Sequence, residues 1–287
     1  MTRIVQISDM HLAPLPKPIG RLSLKQFLGY ISWMRKRQFS HDPEVLDILK
    51  EEIKSCNPDH ICITGDQTNL GTRQEYMNSA RWIHELAPAE KISVIPGNHD
   101  AYGPDYEKNM IMFWSSWMMD QNRCCVGTPY IRYVDDVAVI GVSSAIPTPA
   151  FMAYGEVGSD EIDRLHMLAE DLNTKEYFRL LCIHHPPAYN VTSWRRGLLN
   201  KEQFHKALEH LSPDLVLHGH MHKEINSEIC LKNKSIPVIG VCSASSNGKH
   251  IPAAQYLVME IEKTGAGWTY MAESRRYDAG QKTFLPD

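Results

Sequence analysis

The sequence predicts a layered α/β fold built on mixed β-sheet, and three observations carry that prediction. Short β-rich runs recur along the chain, and most are followed by a segment with helical periodicity, the alternation that layered α/β structure produces. The stretch YVDDVAVIGV, which ends at Val142, reads as a hairpin turning at Asp135 and Asp136, so part of the sheet is antiparallel. No internal repeat, low-complexity tract or Pro/Gly/Ser-rich linker divides the 287 residues, which are expected to form one domain spanning 1–287.

The strand-like runs are RIVQIS from Arg3, HICIT from His60, KISVI from Lys91, AVIGV from Ala138, FRLLCI from Phe178, DLVL from Asp214, IPVIGV from Ile236 and YLVMEI from Tyr256. Helix starts are marked by Asp42 before Pro43, an N-cap with proline at the first helical position, and by Thr72 with Glu75 and Asn200 with Gln203 at capping-box spacing. Two segments depart from the alternation. A basic insert at about 14–41 opens with PLPKP; in it Leu24, Phe27, Leu28, Ile31 and Met34 fall at helical spacing, while Lys17, Arg21, Lys25, Arg35, Lys36 and Arg37 face no acidic residue. The expectation is a helix packing its apolar face on the domain with the cations solvated. The competing expectation is peripheral contact with anionic lipid through residues 21–37. MIMFWSSWMM at 110–119 is apolar nearly all round and reads as core, with an acyl-chain wall as its alternative. Trp33, Trp82, Trp114 and Trp117 read as core or lid packing, and residues 243–247 as a polar turn at a strand end.

Thirty Lys and Arg against thirty-four Asp and Glu give a net charge of −4. That balance speaks against a stable nucleic-acid partner, because grip on a polyanion needs a basic excess. The seven Cys show no CxxC pairing, and Cys62, Cys182 and Cys242 lie in strand-like runs, as free thiols of a reducing compartment do. With no bilayer-length apolar stretch and no signal-peptide pattern, the expected location is cytoplasmic, or peripheral at the inner face of the membrane where the insert meets lipid.

Five polar clusters each sit where an apolar run ends: Asp9 with His11, Gly65-Asp66, Gly97-Asn98-His99-Asp100, His184-His185-Pro186 and Gly219-His220-Met221-His222. Strand ends are where α/β sheets form ligand sites. Each cluster alone has an ordinary reading as a turn or cap. Together they offer Asp9, His11, Asp66, Asn98, His184, His220 and His222, a mix of oxygen and imidazole donors that suits divalent transition metals rather than Ca²⁺. Gathering so many titratable groups without a cation would leave costly uncompensated charge. Asp9 and His11, like His220 and His222, are two apart and on extended backbone would project to one side. Gly97 and Gly219 permit the close backbone approach that such a convergence needs.

In this order, Asp-x-His, Gly-Asp, Gly-Asn-His-Asp, His and Gly-His-x-His resemble the motif series of the calcineurin-like metallophosphoesterase superfamily, over residues 9 to 222. Within it the chain looks most like the bacterial branch of class III cyclic-nucleotide phosphodiesterases and glycerophosphodiesterases. The resemblance implies a four-layer α/β/β/α sandwich with mixed β-sheets and a two-metal centre. Asp9, His11 and His222 would hold one ion, Asn98, His184 and His220 the other, with Asp66 bridging. The ligand role falls on His184, leaving His185 behind it, and His99 would contact substrate oxygens. Two cations roughly 3.5–4 Å apart lower the pKa of bound water and clamp phosphoryl oxygens. The implied reaction is attack of a dimetal-bound hydroxide on the phosphorus of a small diester, a cyclic nucleotide or glycerophosphodiester, with His99 protonating the leaving oxygen. Asp100 either orients the charged His99 or caps the next turn, and Tyr102 is a candidate wall of the substrate pocket. Mn²⁺ is the foremost metal; Fe, Co²⁺ and Zn²⁺ accept the same donors. The alternative substrate is a lipid-linked (pyro)phosphate such as a nucleotide-diacylglucosamine at a membrane. A non-catalytic metal-binding scaffold is a minority reading that the complete ligand set opposes. A homo-oligomer through the hydrophobic insert stays open.

Overall fold

The computed structural model describes residues 1–16, 22–122, 124–172, 176–265 and 267–287; Lys17, Pro18 and Arg21 of the basic insert lie outside them. The strands are β1 (Thr2–Ile7), β2 (His60–Ile63), β3 (Ile92–Val94), β4 (Tyr130–Val134), β5 (Val137–Gly141), β6 (Phe178–Cys182), β7 (Leu215–His218), β8 (Ile225–Cys230), β9 (Ser235–Gly240), β10 (Gln255–Thr264), β11 (Gly267–Asp278) and β12 (Thr283–Pro286). The helices are α1 (Leu24–Arg35), α2 (Pro43–Cys56), α3 (Arg73–Leu86), α4 (Tyr106–Trp114), α5 (Ser159–Leu172) and α6 (Lys201–Leu211), with short 3-10 turns between some of them.

Two six-stranded sheets form, ordered β12-β11-β10-β1-β2-β3 and β4-β5-β6-β7-β9-β8. Both are mixed. In the first, β1, β2 and β3 run parallel and β10 joins β1 antiparallel; in the second, β5, β6, β7 and β9 run parallel between antiparallel edge strands. Ile4, Cys62, Met259, Val139, Leu180 and Leu217 meet in one cluster that glues sheet to sheet. Alternation along β1 then sends Val5 and Ile7 to the opposite face, where they pack with Leu46, Leu49 and Ile53 of α2 and Tyr76 and Ile83 of α3. Leu165 and Leu168 of α5 and Phe204 and Leu208 of α6 cover the outer face of the second sheet. The result is helix, sheet, sheet, helix, with the central strands buried on both faces.

The predicted helix starts fare differently. Asp42 accepts from Glu44 N, and Thr72 and Glu75 form a reciprocal capping box. Asn200 precedes α6 but makes no cap bond; its amide is paired instead with both backbone groups of Val157, because a neighbouring loop offers a better-matched donor and acceptor than the helix end.

The insert helix corrects an expectation. α1 forms where the spacing puts it, behind a Ser23–Gln26 capping box, yet most of its apolar stripe points outward: Leu24 is 74%, Phe27 51% and Met34 40% exposed, while Leu28 and Ile31 are half-buried. The face against the domain is Gln26, bonded to Leu70 O, and Gly29, where a Cβ would stand 2.8 Å from Leu70 Cδ2 and from Tyr102 Cε1. In the 110–119 segment Trp114, Trp117 and Met118 are core, while Ile111, Met112 and Met119 are exposed. Among the described residues, no helix is long and apolar enough to cross a membrane.

Candidate metal centre

The site lies where β1, β2, β6 and β7 give way to loops. All seven predicted donors meet there. Asp9, His11, Asp66 and His222 form one group of converging ligand atoms. His184 Nε2 lies 3.3 Å from Asn98 Oδ1 and 3.4 Å from Asp66 Oδ2, and its ring is 5.1 Å from that of His220. Asp66 thus stands between the two groups, its Oδ2 also 3.8 Å from His11 Nε2.

The convergence does not arise from strand alternation, as the two-residue spacing suggested. β1 ends at Ile7 and β7 at His218, and Asp9, His11, Asp66, His220 and His222 all have positive φ, from +41° to +71°. Left-handed backbone costs a non-glycine residue about 1 kcal/mol or more, so the two packed sheets hold the donors in strained turns. Close approach completes the fit: a Cβ on Gly97 would fall 2.2 Å from Asp66 Oδ1, and one on Gly219 would strike Ser8 Oγ and stand 2.6 Å from Asp9 Oδ2. Here the two glycines play the part their positions suggested.

Backbone carbonyls set the imidazoles. His11 Nδ1 donates to Thr68 O at 3.1 Å and His184 Nδ1 to Thr64 O at 2.8 Å, so each turns Nε2 into the site. His11 Nε2 then faces His222 Nε2 at 3.2 Å. Asp9 Oδ1 makes no hydrogen bond although His222 Nε2 is 3.2 Å away, and the buried Nε2 atoms of His185 and His220 have no partner either. Clustered lone pairs of this kind repel one another, and a cation among them removes the conflict. The donors therefore fit divalent metal. Burial and the neighbouring imidazoles hold His11 and His220 far below the ordinary histidine range. Against the same burial, the Asp66 carboxylate pushes His184 up to about 9. Burial would raise Asp66, but His184 and His99 outweigh it and hold the carboxyl well below the usual range.

Asp100 does not orient His99. Its carboxylate accepts from the backbone N–H groups of Asp66, Thr68 and Gly97 and from the Thr68 hydroxyl, at 2.8–2.9 Å, so it clamps the Asp66 loop to the Gly97 turn. Burial, aided by Asp66, pushes it up to about 7. His99 instead has Nδ1 2.7 Å from Asn69 O and Arg37 Nη1 within 3.2 Å of its ring nitrogens. With Nδ1 donating to Asn69, Nε2 is the acceptor facing Arg37. Burial and Arg37 push His99 down to about 4, a neutral ring. Tyr102 is stacked on His99 at 5.1 Å and carries the Lys25 ammonium 4.2 Å from its ring centre, which places it beside the candidate site.

Several residues beside the site lie outside the seven predicted donors. His41, at the end of the insert, lies 4.7 Å ring to ring from His11 and bonds Ser245 Oγ at 2.7 Å. The 243–247 segment does more than turn the chain: Ser243 Oγ donates to Asp9 O, and Ser245 O accepts from Asp42 N. His185 bonds Ser144 Oγ and packs 4.5 Å from His220.

The sequence profile described as calcineurin-like phosphoesterase matches residues 2–224. The chain is 27% identical over 191 residues to the 3′,5′-cyclic adenosine monophosphate phosphodiesterase CpdA of Haemophilus influenzae, a match covering 63% of this chain and 61% of that protein. In structure it is similar to a dimetal phosphatase from Danio rerio, with a TM-score of 0.61 at 11% identity over 99% of this chain and 98% of the other. A purple acid phosphatase from yellow lupin aligns with a TM-score of 0.62 at 10% identity, over 99% of this chain and 52% of that one; likenesses this distant speak for the fold alone. Sequence match, two mixed sheets and a His/Asp centre at their common edge agree that the chain belongs to the calcineurin-like phosphoesterase family.

Proposed function

We propose that the protein is a dinuclear metal-dependent phosphodiesterase. Asp9, His11 and His222 would hold one divalent ion, Asn98, His184 and His220 the other, and Asp66 would bridge them, with Mn²⁺ foremost. The observation that carries this reading is Asp66 Oδ2 placed 3.8 Å from His11 Nε2 and 3.4 Å from His184 Nε2, one from each donor group. Ions bound there would acidify water and polarise phosphoryl oxygens. The chain does the rest: Thr64 and Thr68 fix the ligand tautomers, Asp100 fixes the Asp66 loop, and His99, a neutral ring paired with Asn69 O and Arg37, lines the site without a free N–H to protonate the leaving oxygen. The likeness to the cyclic AMP phosphodiesterase CpdA supports a small diester such as a cyclic nucleotide as the substrate class, with a glycerophosphodiester as the other candidate. Mn²⁺-reconstituted protein should hydrolyse bis(p-nitrophenyl) phosphate or a cyclic nucleotide faster than p-nitrophenyl phosphate; a strong monoester preference overturns the diesterase assignment.

A second reading, a lipid-linked (pyro)phosphate cleaved at a membrane surface, has one observation in its favour. The outward face of α1 is apolar, with Arg35 and Lys36 exposed beside it and no acidic residue in 22–41, which suits an anionic lipid interface. Flotation with vesicles of anionic lipid separates the readings: protein that stays in the soluble fraction ends the second.

A further inference from the structure

The insert brings two cations beside the His99 and Tyr102 rings. Arg37, in the 3-10 turn after α1, directs Nη1 at the His99 ring and Nη2 at Gly29 O, 3.3 Å away. Lys25, on α1, donates to Thr148 Oγ1 at 2.9 Å and lies over Tyr102. Among the described residues neither forms an ion pair; burial pushes the Lys25 ammonium down to about 8 and lowers the Arg37 guanidinium too, against the opposing field of Asp66. Half-burying two cations without a counter-anion is unfavourable. Two divalent ions against the carboxylates of Asp9 and Asp66 would already exceed the single charge of a simple diester. A cyclic nucleotide therefore leaves Arg37 and Lys25 uncompensated, whereas the added negative charge of a second phosphate would offset one of their two positive charges and accept hydrogen bonds from both. A guanidinium fork and an ammonium are the side-chain groups best suited to hold one.

We propose that Arg37 and Lys25 form an anion subsite that binds a second phosphate of the substrate, next to the phosphorus held at the metal centre. The subsite rests on the phosphodiesterase reading above but moves its substrate from a cyclic nucleotide or glycerophosphodiester to a diester bearing another phosphate, of which a diphosphate diester is the simplest. Hydrolysis of such a compound adds the OH of water to the phosphorus at the metals, breaks its bond to the bridging oxygen, and releases the second phosphate, with water's other proton, as a monoester.

Calorimetry with inorganic pyrophosphate and inorganic phosphate on Mn²⁺-loaded protein tests the subsite without turnover. Wild type should bind pyrophosphate more tightly, and Arg37→Gln or Lys25→Gln should shrink that advantage about tenfold, the size of one charge-assisted hydrogen bond; Arg37→Lys should retain most of it. In parallel, kcat/KM for ADP-ribose relative to bis(p-nitrophenyl) phosphate should drop by a similar factor, mainly through KM. An unchanged advantage in both Gln variants, or an equal loss for phosphate and pyrophosphate with kcat lowered on both substrates, overturns the subsite and leaves Arg37 as a support for His99. Wild type that neither loads Mn²⁺ nor hydrolyses either compound removes the hydrolase reading itself, and the subsite with it.

Discussion

The metal centre and the α1 insert bury opposite things. At the centre, polar donors are driven into the seam between two apolar sheets, and five of them accept left-handed backbone to get there. In the insert, an apolar stripe is turned to solvent while Gln26, Gly29, Lys25 and Arg37 face the domain. A hydrophobic pattern fixes which residues share a face; which face is turned inward depends on what the opposing surface offers. Opposite α1 that surface is Leu70 O, the Tyr102 ring, Thr148 and His99, polar or aromatic groups that receive donors and, at Gly29, leave no room for a side chain.

The comparison can be broken most sharply at the centre. Asp66→Asn keeps the shape but removes the charge that serves both donor groups; kcat for bis(p-nitrophenyl) phosphate should fall about 10²-fold or more, with metal content below that of wild type by elemental analysis. Full turnover in this variant would sink the two-metal proposal. Gly97→Ala comes next: its Cβ meets Asp66 where the backbone is fixed by Asp100, so a cost of about 1–3 kcal/mol is expected by chemical denaturation, together with reduced metal content.

A buried carboxylate away from the metal centre sharpens the electrostatic side. Glu161, at the start of α5, accepts from Ser143 N at 2.6 Å, and burial pushes it up to about 7 from an ordinary value of 4.5. A raised folded pKa means that the folded state holds the extra proton, so this contribution is present below pH 4.5 and lost as pH climbs toward 7. Glu161→Gln keeps the acceptor and abolishes that term. Between pH 5 and 7.5 the variant should gain on wild type by up to about 1.4 kcal/mol per pH unit, read from denaturant midpoints; parallel profiles would show that Glu161 titrates normally. The smallest effect belongs to the outward face of α1. Phe27→Ser should change stability by no more than about 0.5 kcal/mol while lowering recovery with anionic vesicles if the face meets lipid; a larger loss of stability would mean that Phe27 packs on the domain.

The legible part of the site was the part made of residue types with narrow chemistry. Asp9, His11, Asp66, Asn98, His184, His220 and His222 stand out because Asp, Asn and His recur at strand ends beside Gly, and all seven meet. Lys25, Arg37 and His41 were visible only as a basic run and a lone histidine, since their place near the site follows from a fold-back of the insert over the Asp66 and Gly97 loops that no local spacing encodes. β8, β11 and β12 escaped for a related reason. As edge strands or their neighbours they carry charged residues such as Glu273, Arg275 and Arg276 in a pattern of mixed exposure, which suppresses the apolar signal that betrayed β1 or β6.

By itself the sequence determined the alternation of strands and helices, the caps of α2 and α3, and the donor inventory of the centre, because periodicity, turn chemistry and residue type are local properties. Tertiary structure alone decided that the donors converge through left-handed turns rather than strand alternation, that Asp100 clamps loops instead of orienting His99, and that α1 lies apolar side out. Each of those outcomes was settled by which groups two packed sheets bring within hydrogen-bond or van der Waals reach across the chain.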